Sequence, residues 1–276
     1  MNDDLPMKQY LITCLFSWSV LAHAQSVGTL VGARAAGMGY ASATLADETA
    51  LFNNVGAIAE NKKTSSFFMY ERRPALPDAD RTATGFSSPA KYGVVGFGFF
   101  RFGDERYNEQ IVSAGFGNKF GIASLGAKIN YIQYHAEGFG NKSALSLNFG
   151  GLAQITPQIS IGAYIVNLTQ SKISSEERVP TKLVAGIGFK PADHFFIATE
   201  LEKDMDYRFT WRTGAEYVIH KKVFVRTGFN LNPSTIYFGL GTKARRLRID
   251  YAFSFCKSLG NSHQASAIYQ FERTKK

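Results

Sequence analysis

Cysteine is nearly missing from this chain, with two in 276 residues. Cys14 lies in an N-terminal stretch that reads as removable, which leaves Cys256 alone and excludes a disulfide-stapled scaffold. After that stretch no run approaches the ~18 consecutive apolar residues of a transmembrane helix. Catalytic and metal-ligand patterns are also lacking. His135, His194, His220 and His263 fall in or beside turns, far apart in sequence, and there is no H-E-x-x-H, C-x-x-C or G-x-S-x-G. Gly115-Phe116-Gly117 and Gly186-Ile187-Gly188 resemble fragments of phosphate loops, but they sit in strand patterns with no helix after them. The apolar rows carry no mid-strand histidine for a membrane-embedded Ser-His hydrolase. The expectation is a protein that is not an enzyme and needs no cofactor.

Charge of one sign is in excess, at a formal net +9, yet no basic helix or stripe forms. The cations are scattered or sit in turns such as His220-Lys221-Lys222 and Lys243-Ala244-Arg245-Arg246, so nucleic acid is not an expected partner.

The N-terminus does carry a signal. Lys8 precedes an apolar stretch over residues 10–22 that is too short to span a bilayer, and Ala22-His23-Ala24 has the form of an A-x-A cleavage site. Residues 1–24 therefore read as a signal peptide. Cys14 lacks the small residues before it that a lipid anchor needs.

From about Lys63 onward the sequence alternates with period two. Leu125, Ala127, Ile129 and Tyr131 lie opposite Ser124, Gly126, Lys128 and Asn130; Trp211, Ala215 and Tyr217 lie opposite Arg212, Gly214 and Glu216. Leu247, Ile249, Tyr251, Phe253 and Phe255 lie opposite Arg248, Asp250, Ala252 and Ser254. In strands these sets face opposite sides. A soluble sandwich alternates in the same way, so length must decide. About 14 strands can be placed, most near the ~9–11 residues of a tilted membrane strand rather than the ~5–6 of a sandwich strand. Short connections at 88–91, 117–119, 156–158, 220–222 and 243–246 interleave with mostly longer ones at 71–80, 103–108, 135–142, 169–180 and 256–262. Asn232-Pro233-Ser234 is a short connection on the long-loop side. The expectation is an all-β fold: a transmembrane antiparallel barrel over 63–271 with a C-terminal tail at 272–276, in contact with outer-membrane lipid. An even strand count puts both termini in the periplasm.

Residues 25–62 break the alternation. Gly28, Gly32, Gly37 and Gly39 punctuate the first half. The stretch from Ala46 to Phe52 reads as a short helix with acids in its first turn, ended by Asn53-Asn54-Val55-Gly56.

At these residues the chain resembles a family. Gly32-Ala33-Arg34-Ala35-Ala36-Gly37-Met38-Gly39, then Leu45-Ala46-Asp47, then Leu51-Phe52-Asn53-Asn54, is similar to the opening of FadL-like outer-membrane proteins, above all the PorV/PorQ-type barrels of Bacteroidota. The resemblance implies an N-terminal plug inside a 14-stranded barrel. The proline common after the asparagine is replaced here by Val55-Gly56.

The candidate site residues are the plug polar groups Arg34, Asp47, Glu48, Asn53 and Asn54 and the inward charges Arg212, Glu216, Arg226, Arg248 and Asp250. Arg34, Asp47 and Glu48 are expected to pair with Arg212, Arg226, Glu216 or Asp250. Two functions stay open. One is passage or binding of hydrophobic small molecules across the outer membrane. The other, implied by the PorV/PorQ resemblance, is a non-conducting barrel docking components of type IX secretion.

Overall fold

The computed structural model describes residues 29–174 and 178–272. The signal-peptide expectation at 1–24, and all of the tail but Glu272, lie outside them. The strands are β1 (Ser65–Arg72), β2 (Arg81–Ala90), β3 (Gly93–Gly103), β4 (Tyr107–Phe120), β5 (Ala123–Ala136), β6 (Gly140–Gln154) and β7 (Ile159–Val166). They continue as β8 (Lys182–Ala192), β9 (Phe195–Asp204), β10 (Thr210–Ile219), β11 (Val223–Asn230), β12 (Thr235–Ala244), β13 (Leu247–Cys256) and β14 (Gly260–Gln270). Each pairs antiparallel with the next, and β1 pairs with β14 from Ser65↔Gln270 to Arg72↔His263, closing a 14-stranded barrel. That closing register puts the start of β1 and the end of β14 on the short-turn rim.

Period-two alternation becomes two faces. Leu240 is 58 % exposed, whereas Asp250 on the neighbouring strand's inner row is 0 % exposed. Phe86, Phe97, Ile129, Ile187 and Leu201 continue the exposed apolar surface around the circumference. A soluble monomer rarely exposes a contiguous apolar patch above a few hundred Å2. A belt around a closed barrel is the surface of a protein whose outer solvent is lipid. No helix among the described residues is long and apolar enough to cross a membrane.

Turn chemistry sets the hairpins. His220 and Lys221 both take positive φ, 51° and 62°, the mirror-image geometry whose twist matches two flanking strands. The turn expected at 117–119 lies four residues later, because Gly117 pairs with Gly126 in the ladder and Gly121 takes the positive φ of 59°. The last strand begins at Gly260, inside the connection expected at 256–262.

Residues 29–62 lie against the inward faces of the strands. Helix α1 (Ala33–Gly37) packs on β11–β14, and a 3-10 helix (Val55–Glu60) packs on β3–β6. The helix expected from Ala46 to Phe52 is absent; these residues form turns. Asp47 Oδ1 accepts from the Thr49 amide (3.0 Å) and hydroxyl (2.6 Å), so a local side-chain bond takes the place of a first helical turn. Close approach requires glycine on both sides. A Cβ on Gly214 of β10 or Gly228 of β11 would run into the backbone of Met38 and Gly39.

Candidate functional site

The N-terminal segment follows the inner wall and meets two different surfaces. Along β9–β13 it meets charge. Arg34 donates to both Glu216 oxygens, at 3.0 and 2.6 Å, and to Asp47 Oδ2 at 3.3 Å. On the other side Glu216 Oε2 accepts from Arg226 Nε at 2.6 Å. Arg226 Nη1 stands 2.8 Å from Asp250 Oδ1, and Arg248 Nε stands 2.8 Å from Asp250 Oδ2. Glu216, Arg226, Arg248 and Asp250 are neighbours because β10, β11, β12 and β13 are laddered in register: Glu216 faces Arg226 and Gly241 faces Asp250. The small inner residue Gly241 on β12 lets Arg226 reach across to Asp250. Burial works against the Arg34 charge, but Glu216 and then Asp47 outweigh it and hold the guanidinium above its ordinary value.

Of the residues singled out in the sequence, Arg34, Glu216, Arg226, Arg248 and Asp250 form this one network. Arg212 belongs to a second: it donates to Glu200 Oε1 at 2.9 Å and lies 2.8 Å from Glu202. Asp47 pairs with Arg34 inside the segment and meets no wall charge in this network. Glu48 accepts from Gln270 at 2.7 Å, an amide rather than a wall cation. Asn53 and Asn54 shape the segment itself. Asn53 bonds both backbone groups of Val31 at 3.0 Å. Asn54 Oδ1 accepts from the Gly56 amide at 3.0 Å, and Nδ2 donates to Ala43 O (2.6 Å) and Gly151 O (2.9 Å). Asn54 thus ties the segment to β6.

Sequence reasoning passed over several groups that matter as much. Glu200 Oε2 accepts the backbone amides of Ser42 (2.8 Å) and Ala43 (2.7 Å). Arg81 donates to Glu71 at 2.7 Å and to the Leu30 carbonyl at 2.7 Å, while Tyr40 reaches Glu71 at 3.4 Å. Burial, and then the Glu71 charge, push the Tyr40 phenol up and keep it neutral. Their position in polar strand rows was the available signal for Glu200 and Lys128.

Along β1–β6 the same segment meets hydrocarbon. Leu51, Phe52, Val55 and Ile58 pack with inward Phe67, Met69, Phe100, Ile111 and Ile132 in one buried cluster. Phe52 and Phe67 meet edge to face at 6.0 Å. At the short-turn end of this half Glu60 takes Lys119 Nζ at 2.9 Å and Ser124 Oγ at 2.5 Å.

Cavities flank the segment, among them one of about 270 Å3 beside Arg34, Leu45 and Glu216. Another of about 450 Å3, toward the long loops, is lined by Tyr40, Arg73, Arg81, Asn230, Tyr237 and Ser262 among others. A smaller one of about 90 Å3 lies beside Phe52, under Leu30, against Ile111, Ile132, Tyr164, Val166, Asn130 and Lys128. The histidines stand apart from these last two: His135 bonds Asn141, His263 bonds Tyr251, and His194 packs on Tyr217.

No known protein family matches the sequence, and no curated protein matches it. Solved structures do share the fold. The monoaromatic hydrocarbon channel TodX, in a deletion mutant, superposes with a TM-score of 0.67 at 11 % identity, covering 90 % of this chain and 100 % of that one. A Pseudomonas aeruginosa FadL homologue gives 0.64 at 14 % identity over 89 % and 100 %. The Pseudomonas putida toluene transporter TodX gives 0.61 at 11 % over 90 % and 98 %.

Proposed function

We propose that this protein is an outer-membrane barrel that binds or passes hydrophobic small molecules, with residues 25–62 acting as a plug in its lumen. The observation that carries the reading is the pairing of a lipid-facing outer belt with a lumen that its own chain occupies, leaving cavities with apolar walls beside the segment. A barrel of about 14 strands is too wide for its wall side chains to fill, since about eight strands already reach that limit. Something else must exclude water, and residues 29–62 are the chain's means of doing so. The fold it shares with structures described as hydrocarbon channels supports the same class of cargo. Under this reading Arg34, Asn53, Asn54, Asp47 and Glu48 hold the plug, and the inward charges of β10–β13 are its socket. The signal peptide at 1–24 delivers the chain to that membrane.

A second reading is a non-conducting barrel of PorV/PorQ type serving type IX secretion. Its support is the opening motif together with the buried Arg34–Glu216 pairing, which fixes the segment in place. Of the connections on the long-loop rim, 104–106, 137–139 and 257–259 are three residues each and offer little docking surface, which leaves 73–80 and 167–181 as the longer ones; the cavities beside the segment favour passage. Deleting the gene separates the two. Passage predicts slower uptake of a hydrophobic compound such as toluene, restored by the intact gene, with type IX cargo release unchanged. Lost cargo release with unchanged uptake establishes the second reading instead.

A further inference from the structure

Lys128 is an anomaly in the lumen. Every other charged group lining the smaller cavity is paired: Lys182 lies 3.1 Å from Glu202, and Arg212 lies 2.8 Å from Glu202 and 2.9 Å from Glu200. Lys128, 3 % exposed, forms no ion pair among the described residues. Its ammonium has the Phe52 carbonyl at 3.5 Å and the face of the Phe52 ring at 5.2 Å. The polar groups around it are spent on one another. Ser113 donates to Asn130, and Asn130 donates to Ser146 and Asn148. Asn148 accepts from the Asn167 amide. A buried ammonium without a counter-charge is costly. The apolar part of the cavity wall includes Phe52, Ile111, Ile132 and Val166.

We infer that this cavity is a binding site for a ring-sized organic carboxylate, whose anionic head meets Lys128 and whose body lies against Phe52, Ile111 and Ile132. The inference rests on the passage reading and narrows its cargo. The size follows from the space: a water-sized group needs about 10–15 Å3 on this measure, so a cavity of about 90 Å3 holds on the order of six such groups. That suits one ring rather than a long acyl chain. The charge follows from Lys128, which an uncharged hydrocarbon would leave unanswered. Binding needs no covalent step, and the carboxylate supplies the missing ion pair.

The test uses the purified full-length barrel in detergent and equilibrium dialysis with three labelled probes of one ring each: benzoate, toluene and benzylamine, cationic at neutral pH. The expected order is benzoate well above toluene, with benzylamine not bound. Lys128→Met should weaken benzoate roughly tenfold or more, the scale of a lost charged hydrogen bond, and leave toluene unchanged, while Lys128→Arg should retain benzoate. Benzylamine binding as well as benzoate, or benzoate indifferent to Lys128→Met, overturns the inference. The comparison of probes on the unaltered protein stands even if a variant fails to fold. Toluene binding without benzoate binding removes the anion site and leaves passage intact; no probe binding removes both.

Discussion

Along β9–β13 the inner wall meets residues 33–45 with charge, and along β1–β6 it meets residues 50–58 with hydrocarbon. In the first half Glu216 is shared between Arg34 of the segment and Arg226 of the wall, and Glu200 takes two segment amides. In the second half Leu51, Phe52, Val55 and Ile58 complete a core with Phe67, Phe100 and Ile111. The two surfaces contribute differently. Burial of the apolar side chains is directly favourable, at about 25 cal/mol per Å2. The buried ion pairs roughly break even against their own desolvation, but they penalise any arrangement that separates them. The apolar half therefore supplies attraction, and the charged half supplies a register: Arg34 has one place in which its charge is answered. A segment held by hydrocarbon alone would be free to slide along a greasy wall.

The comparison can be broken from either side. The largest effect is expected from Arg226→Met. It strips Glu216 and Asp250 of their shared cation, and leaving buried carboxylates short of a partner costs about 4 kcal/mol. Urea unfolding followed by heat-dependent gel mobility measures it; a loss below about 1 kcal/mol would mean that water already reaches these charges. Phe52→Ala should cost somewhat less, about 3 kcal/mol, and should loosen the segment without altering the charged half, visible as faster proteolysis within 50–60. The smallest effect belongs to Glu60, whose pairing with Lys119 is the ion pair between segment and wall in the apolar half. Burial pushes its carboxyl up, but Lys119 and Ser124 outweigh this and hold it below the usual carboxylate range. With a lowered folded value, the stabilisation is present at neutral pH and is lost as acidification carries the group through that value. Glu60→Gln should change stability by less than about 1 kcal/mol at neutral pH and remove this part of the acid sensitivity.

The charged half was legible in the sequence and the apolar half was not, for one reason. In β10–β13 only the inner row carries Arg212, Glu216, Arg226, Arg248 and Asp250, so the faces separate on paper and separate in the barrel. In β3 both rows are apolar: Phe97 faces out at 59 % exposure and Phe100 faces in at 0 %. Alternation cannot show which side is the lumen when the lumen holds a second core. The pairing of Arg34 with an inward acid followed from opposite sign alone. Asp47 and Glu48 did not find wall cations, because Arg212 and Arg226 are already answered by wall acids. Nor does an inward position mean room. Ala252 packs on Ala33 and Ala36 of the segment, a contact that no row pattern reveals. The missing helix after Ala46 has the same kind of cause, a local bond from Asp47 to Thr49 that favours a turn.

The central claim is that residues 29–62 close the lumen by being held on both halves at once. Planar-bilayer conductance tests it most directly, comparing the mature chain with one that starts at Lys63, each first shown to be folded by heat-dependent mobility. The account predicts a closed full-length barrel and a truncated barrel with steady conductance to small ions. A folded truncated barrel as closed as the full-length protein would contradict it.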